Sequence, residues 1–470
     1  MENKSFWIDK FNLENHESLS ENITTEVCII GAGITGITSA YYLSNKGLDV
    51  TIIEKDFVAS KTTGHTTGKV SVQHGLFYKY LLDNYGVKVT EKYLKANLEA
   101  LKNIEEIINN NSISCDFEKR DSYVYTCMPQ KYKDIEDEVN ICKQLGLKTS
   151  FEKNIELPIN IQGAIKTKDQ AQFNPVKYLD GLCKVVEENG AKIYENSQVT
   201  GYKKVDGKYE IFVKSESGVY KVLTDKVIVA TRYPIFNFPG MFFVKNYQEL
   251  EYVMCVQVNK NIDNLGMYLS ADTPAISYRT VLGNDDKRYL FVAGNGSKTG
   301  INCDNAQNYQ FLEDNLKNVF GEYNILCKWT AEDCISLDKI PYIGKYSMLL
   351  KNMYVATGFK KWGMTTSNVA ANIITNKILN QSDKYSVIFN ANRLKPIKNK
   401  EEMKNMIKDT YNSLVKEKFI KRNGKRYCTH LGCELEYNKT TNTWDCPCHG
   451  SRFDRNGNLI DGPSQKDLKE

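Results

Sequence analysis

The chain has 470 residues, 41% of them hydrophobic and 25% charged, with a net charge of +5. Such a length predicts two or three domains rather than one, and so small a positive balance argues against a nucleic-acid partner. Residues 1–20 lack the apolar core of a secretory signal and no apolar run is long enough to span a bilayer, so a cytoplasmic protein is expected. Nine of the thirteen cysteines precede residue 428 without regular spacing, which suits reduced thiols rather than a disulfide framework.

Glu26-Val27-Cys28-Ile29-Ile30 reads as a short apolar strand that runs directly into Gly31-Ala32-Gly33-Ile34-Thr35-Gly36. A helical pattern follows through Ala40, Tyr41 and Leu43 to about Gly47. Val50-Thr51-Ile52-Ile53 is a second strand, with Glu54 and Lys55 at its end. Between strand and helix, and with an acid after the second strand, the glycines form a dinucleotide-binding fingerprint. They allow the tight turn and the approach of a pyrophosphate to the helix N-terminus. Glu54 is expected to accept hydrogen bonds from ribose hydroxyls. The plainer alternative is a structural turn without nucleotide.

Residues 59–69 form a Gly/Thr-rich loop that contains Thr63, Gly64, His65, Thr66, Thr67, Gly68 and Lys69. A nicotinamide enzyme would normally continue with a second strand–helix–strand unit. Here long helical stretches follow, at 86–111 and 131–146, which favours a flavoprotein whose loop lines the cofactor. Asn174-Pro175 opens a helix to about Asn189, strands follow at 191–194 and 198–199, and a hairpin is expected from 209–213 and 219–222. A separate buried strand, 226–231, ends in Ala230-Thr231. Val199 is expected beside the adenine and Ala230-Thr231 on the pyrophosphate side.

From about 248 to 298 the alternation suggests antiparallel strands, with Gly283-Asn284-Asp285-Asp286 turning between 275–281 and 288–294. This is the candidate substrate sheet. On it Arg279 and Tyr278 are candidates to hold a carboxylate, since arginine offers a bidentate fork; the alternative is an outward-facing strand arginine. Further on stand Asp338-Lys339-Ile340-Pro341-Tyr342-Ile343-Gly344, a strand 353–359, and Lys360-Lys361-Trp362-Gly363-Met364 before a helix to Leu379. Lys69, Lys360 and Lys361 are candidates to tune a flavin, with ordinary solvation expected for two of the three.

A lysine-rich stretch, 391–420, reads as a linker helix. Cys428-x-His430 and Cys446-x-x-His449 then each offer one thiolate and one imidazole. This is the ligand set of a Rieske [2Fe–2S] centre, in which two histidines replace two cysteines on one iron. Cys433 and Cys448 stand at matching places as a spare pair, well placed for a disulfide. A zinc site is the alternative reading of such loops. The span left for this domain, about 421–470, is so short that it requires a staple.

Residues 25–380 resemble the FAD-dependent oxidoreductases that include glycine oxidase, sarcosine oxidase and dimethylglycine dehydrogenase. The matching motifs are the Gly31–Gly36 turn with Glu54, the turn that ends at Gly344, and Ala356-Thr357-Gly358-Phe359 with Gly363. The whole chain resembles bacterial members with an added Rieske domain, matching Gly450-Ser451-Arg452-Phe453-Asp454 and Gly462-Pro463 as well. The resemblance implies an α/β (α+β) Rossmann-type FAD domain, an antiparallel substrate domain and a small β-rich cluster domain. The FAD-binding segments would be about 25–80, 170–235 and 330–380, and the substrate segments 85–165 and 240–330, all within 1–390. It implies Gly358, Phe359, Lys360, Gly363 and Met364 at the flavin, with the last helix pointing its N-terminus at the pyrimidine ring. His65-Thr66-Thr67-Gly68 resembles the segment at which dimethylglycine dehydrogenase attaches FAD to a histidine. Small amines or amino acids are the implied substrates, and a protein electron acceptor or donor the implied partner. Two competing functions remain open: a reductase relaying electrons from a protein partner, and a flavin oxidase with a zinc-clamped tail.

Overall fold

The computed structural model describes residues 4–11, 13–301, 306–393 and 425–468. The expected linker helix falls almost entirely outside them. Three sheets organise the rest. In the first, Leu350–Thr357, Gly218–Val229, Ile23–Ile30, Val50–Ile53 and Lys192–Tyr194 lie side by side and parallel, with Tyr342–Ser347 antiparallel at one edge. Val27, Cys28 and Ile29 have no exposed surface, because helices cover one face and a hairpin the other. A strand buried on both faces reads as an unbroken apolar run, and this one does.

The helices Ile34–Ser44 and Gly363–Ile378 pack on each other and are joined by a hydrogen bond from Thr35 Oγ1 to Ser367 Oγ, 2.9 Å long. The expected strands at 219–222 and 226–231 are one continuous strand, Gly218–Val229. Its first half pairs with Lys208–Ser215 and its second half with Ile23–Ile30 and Leu350–Thr357. Thr224 and Asp225 sit between the apolar halves without breaking the backbone, since the Thr224 hydroxyl donates to the Glu26 carbonyl.

The second sheet has nine strands. Tyr323–Ser336, Asn246–Val258, Arg288–Lys298 and Ile276–Leu282 form an antiparallel run from one edge inward, and Met267–Ser270 joins Glu118–Thr126 in parallel. One face carries the helix Ala306–Phe320. The other faces the first sheet and is capped by a short helix, Phe6–Lys10, whose Phe6 and Trp7 rings meet Phe291 at 5.5 and 5.1 Å. The third sheet is small and antiparallel: Glu436–Asn438, Thr443–Asp445, Arg452–Asp454 and Leu459–Asp461. Among the described residues no helix is long and apolar enough to cross a membrane.

Candidate functional site

An elongated cavity begins at the first turn of the parallel sheet. A Cβ on Gly36 would lie 1.9 Å from the Gly31 carbonyl oxygen, and one on Gly31 2.9 Å from that of Ala230. Only glycine lets the turn and the helix come together there, and Gly31 also has φ +105°. Gly31, Gly33, Ile34, Thr35, Glu54, Lys55, Thr63 and Thr66 line the cavity. So do Val199, Ala230, Thr231, Gly358, Phe359, Gly363 and Met364.

Glu54 accepts hydrogen bonds from Ala32 N at 2.7 Å and Asp56 N at 3.0 Å, and burial raises its pKa. Arg232 Nη1 and the Tyr233 hydroxyl, both on lining residues, are buried and have no hydrogen-bond partner in the protein. The glycine cradle, the helix ends and these polar atoms fit a dinucleotide.

Other expected contacts fall elsewhere. Gly36 and Gly64 are packing glycines behind the lining; a Cβ on Gly64 would meet the Ala59 carbonyl at 2.3 Å. Thr67 and Gly68 lie against Arg279, and Gly344 sits within the edge strand beside Lys377. His65 is not on the lining: its Nδ1 contacts the Lys61 carbonyl at 2.8 Å. The loop after Gly358 holds Lys360 and Lys361 at φ +52° and +68°. Consecutive left-handed lysines are uncommon and their strain collects at functional turns. The turn sends Lys361, not Lys360, into the cavity, where its ammonium pairs with Glu249 at 3.2 Å and Glu251 at 2.5 Å. Lys360 instead lies 3.7 Å over the Phe77 ring.

On the nine-stranded sheet Tyr278 and Arg279 do not converge, because adjacent strand residues point to opposite faces. Tyr278 packs on Phe320 under the outer helix. Arg279 points the other way, donating to the Thr67 and Thr280 carbonyls and lying 5.7 Å from both Trp7 and Phe291. Burial pushes its pKa down to about 9. On the same face Lys69 donates to the Ser277 hydroxyl and lies 3.5 Å from the Tyr268 carbonyl. Burial, then the Arg279 charge, pushes Lys69 down to about 7. Of the three lysines Lys361 keeps an exposed surface and Lys360 and Lys69 are half-buried, and each also has a protein partner.

The C-terminal loops bring Cys428, His430, Cys446 and His449 together. Hydrogen bonds from Gly432 N to Cys428 O and from Gly450 N to Cys446 O, both 2.9 Å, close two similar turns. Gly432 and Gly450 occupy the left-handed region at φ +81° and +83°. The two imidazoles stand at right angles with centroids 5.1 Å apart. Burial pushes His430 down to about 4 and His449 to about 3, so both rings are neutral, as ligation requires. A hydrogen bond from Cys446 draws the Cys428 thiol down to about 7. His449 Nδ1 is buried without a partner. Cys433 and Cys448 are joined as a disulfide with Cα atoms 6.7 Å apart. Although their sulfurs lie within 4.8 Å of Cys446 Sγ, the bond removes them as ligands and leaves a two-thiol, two-imidazole set. That set suits a Rieske cluster.

The two sites adjoin. Phe243, in the short 3-10 helix Phe242–Val244 of the larger domain, meets the His430 ring at 5.0 Å and the His449 ring at 5.7 Å, edge to face with both. Phe243, Tyr233 and Cys334 form one small buried apolar cluster, and Tyr233 and Cys334 line the dinucleotide cavity. Arg232, Tyr233, Asp333 and Cys334 were not legible as lining residues, since no motif surrounds them.

A family model described as FAD dependent oxidoreductase matches residues 26–377, and one described as Rieske [2Fe-2S] domain matches 394–470. The chain is 32% identical to YhfW of Bacillus subtilis (strain 168), a protein named as a Rieske 2Fe-2S iron-sulfur protein, over 99% of this chain and 97% of that one. It is 21% identical to the gamma-glutamylputrescine oxidoreductase of Escherichia coli (strain K12), over 80% of this chain and 88% of that one. Its fold is similar to the crystal structure of glycine oxidase from Geobacillus kaustophilus, with TM-score 0.65 and 13% identity over 79% of this chain and 99% of that one. The cavity built on the Gly31–Gly36 turn and the Cys/His loops beside it thus have a shared explanation: the chain belongs to the FAD dependent oxidoreductase family and carries a C-terminal Rieske [2Fe-2S] domain.

Proposed function

We propose that this oxidoreductase oxidises a small amine or amino acid at the carbon next to nitrogen and exchanges the electrons with its own iron–sulfur centre. When bound, FAD takes two electrons as a hydride, and a Rieske cluster carries one at a time. The observation that carries the reading is the contact chain between the sites. Phe243 touches both cluster histidines and packs with Tyr233 and Cys334, which line the cavity.

The chain's own residues would act on the substrate through charge and exclusion of water. Lys69 and Arg279 are cations on the inner face of the substrate sheet, and both are held there at a desolvation cost. A carboxylate on the substrate would offset that cost. The pairing of Lys361 with Glu249 and Glu251 sets acids beside the same face, suited to an ammonium group. The names of two similar proteins, gamma-glutamylputrescine oxidoreductase and glycine oxidase, support the amine class. Gly363 and Met364, at the N-terminus of the helix Gly363–Ile378, would place its positive end against the flavin.

Anaerobic mixing with a panel of amino acids and N-methylated amino acids tests this. The expected result is flavin bleaching followed by a Rieske-type EPR signal. Flavin bleaching with a cluster that stays oxidised would end the electron-exchange reading, and no bleaching by any amine would end the substrate reading.

A further inference from the structure

The dinucleotide cavity is walled partly by the other domain. Leu459, Ile460, Asp461, Gly462, Ser464 and Gln465 of the iron–sulfur domain line it together with the glycine-rich turn. Lys55 Nζ donates to the Leu459 carbonyl at 3.2 Å. Lys55 follows Glu54, the acid positioned for a ribose, so this contact marks the adenosine end. Arg232 lies 2.6 Å from Asp461, and a Cβ on Gly462 would lie 3.7 Å from the Tyr233 ring.

We infer that segment 459–465 of the iron–sulfur domain is a wall of the FAD site, covering the adenosine and pyrophosphate part, so that FAD enters or leaves only when this domain lifts away. The cluster domain would then hold the cofactor as well as exchange electrons with it. The inference stands apart from the substrate and the direction of electron flow.

The seam between the domains is also fastened by larger-domain residues that are not on the lining. Gln248 Nε2 contacts three carbonyls of the iron–sulfur domain: His449 at 3.4 Å, Gly450 at 2.8 Å and Gly462 at 2.5 Å. Gly300 approaches so closely that a Cβ would lie 2.4 Å from Pro447 N. Neither Gln248 nor Gly300 lines the cavity. Gln248→Glu removes the donor and sets a carboxylate against carbonyl oxygens. Gly300→Asn suits the left-handed backbone there, φ +78°, while its Cβ pushes on the seam.

The test uses full-length protein loaded with FAD and cluster, with release followed as the rise of free flavin fluorescence after dilution. Both variants should release FAD roughly tenfold faster or more, as expected when several hydrogen bonds of a docked surface are lost. The flavin domain's melting temperature and the cluster's EPR signal should stay as in wild type. Release at the wild-type rate in both variants overturns the inference. So does faster release that merely accompanies a lower melting temperature of the flavin domain, because the cofactor would then be lost by unfolding.

Discussion

The guanidinium of Arg232 lies 2.6 Å from the carboxylate of Asp461, one residue in each domain. The same group reaches Glu332 at 2.8 Å, and Arg452 binds the far side of Glu332 at 3.0 Å and Asp445 at 3.0 Å. The five groups alternate acid and base along the seam, and all are largely buried. Burial, then the Asp461 charge, raises the pKa of Glu332 to about 8, whereas Arg232 holds Asp461 well below the carboxylate range.

Arg232→Met should therefore be strongly destabilising, since it leaves the buried Asp461 carboxylate beside the Glu332 carboxyl without its cation. Breaking one partner of a buried ion pair costs about 3–5 kcal/mol. Calorimetry should show the transition of the iron–sulfur domain moving down and separating from that of the flavin domain. A single unshifted transition would contradict this.

Gly36→Ala should abolish FAD binding. Its Cβ would lie 1.9 Å from the Gly31 carbonyl, backbone against backbone, so the helix must move away from the turn. Overpacking of this kind costs about 1–3 kcal/mol or more. The flavin absorbance of purified protein, read with its melting temperature, checks the outcome.

Metal analysis of the wild-type protein should give about two irons per chain and no stoichiometric zinc. Cys446→Ser should lose the iron and the Rieske EPR signal. Zinc in place of iron would refute the assignment of Cys428, His430, Cys446 and His449 as cluster ligands.

Phe243→Leu removes the ring between the imidazoles and the cavity side. Stopped-flow traces should show flavin reduction by substrate at the wild-type rate and slower cluster reduction. Equal rates of cluster reduction in both proteins would exclude Phe243 from the route.

Lys69 gives a pH signature. Its folded pKa of about 7 lies below the ordinary lysine value, so between about 7 and 10.5 the unfolded chain binds more protons than the folded one. The contribution of Lys69 to stability therefore rises with pH across that window. Denaturant titrations from pH 7 to 8.5 should show wild type gaining stability relative to Lys69→Met. A parallel pH dependence in the two proteins would contradict the buried, depressed ammonium.

Much of this protein is written locally. The Gly31–Gly36 turn with its flanking strands, and the two Cys/His loops with their glycines, are short-range patterns in which each residue serves its neighbours, so their chemistry was legible from spacing. The length and period of the helices at 87–110 and 132–144 were legible for the same reason. Tyr278 and Arg279 mark where such reading ends. That they point to opposite faces follows from strand geometry, but which face turns toward the outer helix and which toward Trp7 depended on tertiary packing. Lys360 and Lys361 were exchanged because a left-handed turn, which no glycine announces, redirects their side chains. The placement of Phe243 between the two sites, and of 459–465 on the FAD cavity, joins segments some two hundred residues or more apart in sequence. Those contacts arise from burial of whole surfaces and alternation of charge at a seam, which only the tertiary structure decides.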